Sequence, residues 1–218
     1  MIKNLVIVLL TLVVLLLGII LAENTPIGKE WKKVFVNSQS QSKPQSESLA
    51  SWEDVPEMKE ILDPNDQEKR LKAARKLVRR VGVEEALEIL EHSTLPHTGE
   101  GHLVVHQIGF YAYEKFGVDS ILRCKDYFLY ACYHGTIIEA ASDQGFEGIT
   151  KMTDKCKASS VRYFQCVHAA GHSILAIWNY DIPKALTTCD ELYEKESQFP
   201  EALSSCHNGA FMENLFGV

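Results

Sequence analysis

The chain has 218 residues, 46% of them hydrophobic and 23% charged, with only 13 glycines and 7 prolines, so collagen-like and wholly disordered chains are excluded. Its formal net charge is −7 and it carries no long basic run. A general nucleic-acid binder needs a clustered phosphate-neutralising surface, so that class is excluded too.

The N-terminal residues Leu5 to Ala22 form an uncharged run of 18 residues preceded by Lys3. As a helix this run is about 27 Å long, close to the thickness of a hydrocarbon core. Residues 1–22 therefore read either as an uncleaved signal anchor, or as a secretory signal cut after Ile20-Leu21-Ala22, which would leave the rest secreted. Lys29, Lys32 and Lys33 follow the run, and by the positive-inside rule they favour a cytoplasmic C-terminal part. The cysteines discussed below point the other way. Residues 23–51 include the Ser/Gln-rich stretch NSQSQSKPQSESLAS, too poor in apolar side chains to offset its chain entropy, and read as a flexible tether. Residues 52–218 are long enough for one domain with a real core.

Within that domain no stretch alternates apolar and polar residues long enough for a strand, and helix punctuation is frequent, so the expected class is all-α. Asp63-Pro64 is expected to open the helix LKAARKLVRRV, which Gly82 closes; Glu84 to Glu91 forms a short second helix, and Gly101 to Phe116 a third that Gly117 stops. Asp119 and Asp181 are expected N-caps.

Self-comparison finds four similar segments. Each begins with a short helix A: VEEALEIL (Val83 to Leu90), VDSILRC (Val118 to Cys124), ITKMTDKC (Ile149 to Cys156) and IPKALTTC (Ile182 to Cys189). Each continues with a helix B: VVHQIGF (Val104 to Phe110), CYHGTIIE (Cys132 to Glu139), CVHAAGHS (Cys166 to Ser173) and CHNGAFME (Cys206 to Glu213). The expected architecture is a set of divergent helical hairpins, resembling an α-solenoid in general plan.

Six cysteines allow 15 disulfide connectivities. In the last three segments one cysteine ends helix A and another opens helix B, whereas the first segment has Leu90 and Val104 at those places. Both members are absent together, as bridges within a segment require: Cys124–Cys132, Cys156–Cys166 and Cys189–Cys206. Eight residues of straight helix would separate Cys124 from Cys132 by about 12 Å, too far for a disulfide, so the chain must turn near Lys125-Asp126, with Asp126 as a cap. Three bridges imply an oxidising compartment outside the cytoplasm. Thiolate ligation has little support, because no Cys-x-x-Cys occurs.

All eight histidines lie between residues 92 and 207. His106, His134 and His168 occupy one equivalent position, which Asn208 fills in the last segment. His102 precedes His106 by four residues and His172 follows His168 by four, so each pair projects to one side of its helix. If the B helices stack, these five imidazoles form one patch, the donor type that suits zinc, copper or iron. Glu139, and its equivalent Glu213, would supply a carboxylate ligand or an outer hydrogen bond. The competing reading is that such histidines cap backbone carbonyls inside a scaffold that binds a protein partner. His92 and His97 belong to a polar loop and read as surface residues, His207 is out of register, and Tyr133 lies next to His134. No Gly-x-Ser-x-Gly elbow, phosphate loop or dinucleotide fingerprint occurs, so serine-hydrolase and nucleotide-dependent chemistry have no support. The expected function is a membrane-tethered extracytoplasmic protein with a transition-metal site, serving metal holding, electron transfer or metal-assisted oxidation.

Overall fold

A computed structural model describes residues 51–159 and 163–216; the expected anchor (1–22) and all but the last residue of the expected tether lie outside these residues. Among the described residues there are eight α-helices and no strand: α1 Met58–Ile61, α2 Gln67–Val81, α3 Val83–Glu91, α4 Glu100–Phe116, α5 Ala131–Ala158, α6 Tyr163–Ile177, α7 Ile182–Tyr193 and α8 Ala202–Phe216. None of them is long and apolar enough to cross a membrane.

Helix α2 buries Arg70, Ala73, Ala74, Leu77 and Val78, a stripe at three- and four-residue spacing. Its N-cap is Asp66, whose side chain accepts from the Lys69 amide at 3.0 Å, and not Asp63. Asp63 instead closes its own turn on the amide and side chain of Asn65. Gly82, at φ 90°, ends α2 and opens α3 in a backbone region that disfavours other residues. Helix α4 buries Val104, Val105, Ile108, Gly109, Ala112 and Tyr113 and stops at Gly117. Under α1 and α2, the buried carboxylate of Glu57 receives both Nε (3.1 Å) and Nη2 (2.6 Å) of Arg80.

The next segment departs from expectation. Gly117–Arg123 is a 3-10 helix, so the helix A expected over Val118 to Cys124 is not an α-helix. Asp119 caps nothing there and pairs with Lys155 at 2.7 Å. The turn into α5 is made by Phe128, Leu129 and Tyr130, all in the left-handed region, with Tyr130 rather than Asp126 at the N-cap. Helix α5 is two segments meeting at Gly145 (φ 60°, ψ −138°), so that Cys132 and Cys156 lie at opposite ends of one bent element. Asp181 caps α7 as expected, accepting from the Lys184 amide.

Three disulfides are present, joining the pairs expected from the sequence: Cys124–Cys132, Cys156–Cys166 and Cys189–Cys206, with Cα separations of 5.4, 6.6 and 5.8 Å. The first ties the 3-10 segment to the start of α5, the second ties α5 to α6, and the third ties α7 to α8. The core runs through these elements, with Ile108, Ile137, Ile149, Met152 and Ile174 removed from solvent. Each such side chain contributes about 1.5–3 kcal/mol.

Helix α4 packs on α5, α5 on α6 and α6 on α8. Two of these contacts are backbone to backbone. A Cβ at Gly109 would overlap the Cys132 carbonyl, and one at Gly135 the His106 carbonyl. Across α6 and α8, Gly171 meets the Cys206 carbonyl and Gly209 the His168 carbonyl in the same way. The close approach of α4 to α5 brings His106 beside His134.

Candidate metal centre

Five histidines from three helices converge. His102 and His106 stand one turn apart on α4, His134 is on α5, and His168 and His172 stand one turn apart on α6. Their ring nitrogens fall into two sets, His102/His106/His134 and His134/His168/His172, each within 4.8 Å. His134 belongs to both and is only 3% exposed. Its ring centroid lies 5.0 Å from His102, 5.7 Å from His106, 5.4 Å from His168 and 5.1 Å from His172.

The outer nitrogens of two rings are held by oxygen. His102 Nδ1 donates to the Phe128 carbonyl at 2.7 Å, a group left-handed backbone turns toward the site. His172 Nδ1 donates to Glu213 Oε2 at 2.9 Å, while Glu213 Oε1 accepts from the Tyr180 hydroxyl at 3.0 Å. The Ser205 backbone acts on His168 in the direction opposite to burial. Carbonyl and carboxylate oxygens carry no proton, so these bonds fix the hydrogen on the outer nitrogen and leave the inner one as a lone pair in the neutral ring. Metal-binding histidines show the same outer anchoring.

The inner nitrogens face one another. His168 Nε2 lies 3.1 Å from His172 Nε2, and His102 Nε2 lies 3.1 Å from His134 Nδ1. At each place either one ring brings a hydrogen between the two nitrogens or a metal ion takes its position. Two tetrahedral ligands at 2.0–2.1 Å from one ion are about 3.3–3.4 Å apart, slightly wider than these two edges. His106 Nε2 and His134 Nε2 are buried and have no hydrogen-bond partner at all. An orphaned buried imidazole nitrogen is uncommon in a folded protein and calls for a ligand or a proton.

Burial dominates the electrostatics. It pushes His106 and His134 well below the ordinary imidazole range, with neighbouring imidazoles adding to the effect. Burial also takes His168 down to about 4 and lowers His102 despite the Phe128 carbonyl. The neutral ring, which is the form that binds metal, is thus favoured at His102, His106, His134 and His168. The hydrogen bond from His172 holds the Glu213 carboxyl below its usual value.

Glu139 is not brought to the cluster. It lies five residues beyond His134, about 140° around the helix. There its charged neighbours are Glu114, Arg75 and Asp143, and burial, then Glu114, raises its carboxyl. The carboxylate that reaches a cluster histidine is its equivalent Glu213, from a different helix. Tyr133 turns away from the histidines and donates to the Cys124 carbonyl at 3.2 Å. His92 and His97 are exposed, and His207 meets Asp190 at 2.9 Å. Phe128, Ser205 and Tyr180 had no sequence signal, since two act through the backbone and Tyr180 reaches Glu213 from the turn between α6 and α7.

A cavity of about 290 Å³ opens beside the cluster, walled by Ile138, Ala141, Ala176 and Ile177, with His172 and Glu213 on its polar side. The described residues thus define a disulfide-stapled, all-helical protein with two histidine groups able to hold a metal. Comparison of the chain with protein-family models, with curated proteins and with solved structures found no match.

Proposed function

We propose that this protein binds a transition metal ion (zinc, copper or iron) through His102, His106, His134, His168 and His172, on a domain of disulfide-stapled helical hairpins held outside the cytoplasm. The observation that carries the reading is the pair His168 Nε2 and His172 Nε2, 3.1 Å apart, with the outer nitrogen of His172 donating to Glu213. Three imidazoles per group leave a coordination position open, and the cavity beside His172 offers a route to it, as metal-assisted oxidation or electron transfer requires. The repeated Gly–carbonyl contacts, α4 on α5 and α6 on α8, support a hairpin repeat. The three disulfides support an oxidising compartment. The uncharged run Leu5 to Ala22 supports tethering to a membrane.

A scaffold for a protein partner is the second reading, favoured by the bond from His102 to the Phe128 carbonyl. It leaves the orphaned nitrogens of His106 and His134 without a role. Elemental analysis decides between the two. The full chain, produced in an oxidising compartment without a histidine tag, is compared with His134→Ala and His168→Ala. Metal near stoichiometry in the wild type and reduced in both variants is the expected result. A folded wild type that holds no metal and takes up none of zinc, copper or iron would leave the scaffold reading.

A further inference from the structure

Resting on the metal-binding reading above, we infer that the cluster takes two metal ions bridged by the His134 ring. One ion is held by His102, His106 and His134 Nδ1, the other by His134 Nε2, His168 and His172.

The donor nitrogens form two sets of three, each within 4.8 Å, and the sets share only His134. A single ion served by one set leaves the other set's imidazoles facing each other without a cation. His106 Nε2, buried and without a partner, is the clearest case, since it belongs only to the first set.

His134 is oriented differently from its neighbours. The rings of His102 and His172 each turn one nitrogen outward to an oxygen acceptor, which commits the other to a single ion. His134 does not. Its Nδ1 faces His102 Nε2 at 3.1 Å and its Nε2 has no hydrogen-bond partner, so neither nitrogen is anchored to backbone or carboxylate. A bridging imidazole needs both nitrogens unanchored to backbone or carboxylate in this way.

The 3.1 Å ligand edge occurs twice, once in each set: His102 with His134, and His168 with His172. Both edges are within about 0.3 Å of the separation of tetrahedral ligands on an ion with bonds of about 2.0–2.1 Å.

The proton balance is simple. The first ion binds the lone pair of the neutral His134 ring; the second replaces the remaining ring N–H proton, which leaves to solvent. Two divalent ions then share one imidazolate. Imidazole-only donor sets suit Cu(II) and Zn(II). The ion on His168 and His172 borders the cavity at His172 and is the one accessible to a small molecule.

The test titrates cupric ion into the tag-free, chelator-stripped full chain, reading bound metal per chain and the electron paramagnetic resonance of the copper. Two ions per chain are expected, with the isolated cupric signal growing to one equivalent and then lost as the second ion couples through the bridge. His106→Ala and His168→Ala, each checked for native helix content, should each bind one ion with an uncoupled signal. One ion per wild-type chain would overturn the bridge and leave the metal-binding reading intact. No ion would overturn both. Two ions with independent signals would overturn the bridge, and so would two ions retained in His106→Ala.

Discussion

His172 and Glu213 face each other across α6 and α8, with Nδ1 2.9 Å from Oε2, and this contact fixes which nitrogen of His172 points into the cluster. Replacing Glu213 by Gln keeps the shape but removes the charge that favours a protonated Nδ1. Metal affinity should fall about 10–100-fold, as is usual for the outer partner of a ligand histidine. Tyr180→Phe removes only the hydrogen bond to Glu213 Oε1 and should cost less. Competition against a chelator of known affinity measures both.

The pH dependence of the metal-free protein follows from His168, whose folded value lies near 4 against an ordinary 6.5. A ring held neutral in the fold takes up a proton on unfolding, so between these values the unfolded chain binds more protons. This contribution is fully present above about pH 6.5 and is lost as pH falls toward 4. Urea midpoints should drop across that window, and His168→Asn should drop less. Proton competition acts in the same direction on bound metal, which is expected to leave as pH falls.

Gly135 and Gly145 separate packing from backbone strain. Gly135→Ala places a methyl against the His106 carbonyl and must push α4 from α5, at about 1–3 kcal/mol. Metal affinity should fall with it. Gly145→Ala has open space but a φ of 60° with ψ −138°, so about 1–3 kcal/mol of strain is expected and the metal site is left intact. Chemical denaturation together with a metal titration distinguishes the two.

The Cys189–Cys206 bridge ties α7 to α8, the helix that carries Glu213. Replacing both cysteines by Ser should lower stability by about 2–4 kcal/mol. Glu57→Gln, which leaves the bidentate Arg80 without its charge partner, should cost about 1.5–3 kcal/mol and leave metal binding unchanged.

Local patterns made much of this legible. His102/His106 and His168/His172 are one helical turn apart, and a four-residue spacing settles a shared face without any tertiary knowledge. The disulfide pairs could be read because Leu90 and Val104 replace both members of one pair at once. Choices between near-equivalents were not legible. Asp63 and Asp66 both precede α2, and only the register of the first turn selects Asp66. Glu139 and Glu213 hold equivalent places in their segments, yet Glu139 stands well around the helix from His134 while α8 carries Glu213 to His172. The left-handed run Phe128 to Tyr130 contains no glycine or asparagine, the residues that normally announce such a turn.

The central claim is that imidazoles of this cluster ligate a metal ion. X-ray absorption at the metal edge of the full chain, isolated without a histidine tag or added metal, tests it most directly. The account predicts a first shell of nitrogen near 2.0–2.1 Å for zinc, with the outer scattering pattern of imidazole rings. A first shell of sulfur, or a folded protein that carries no metal and binds none when offered, would contradict it.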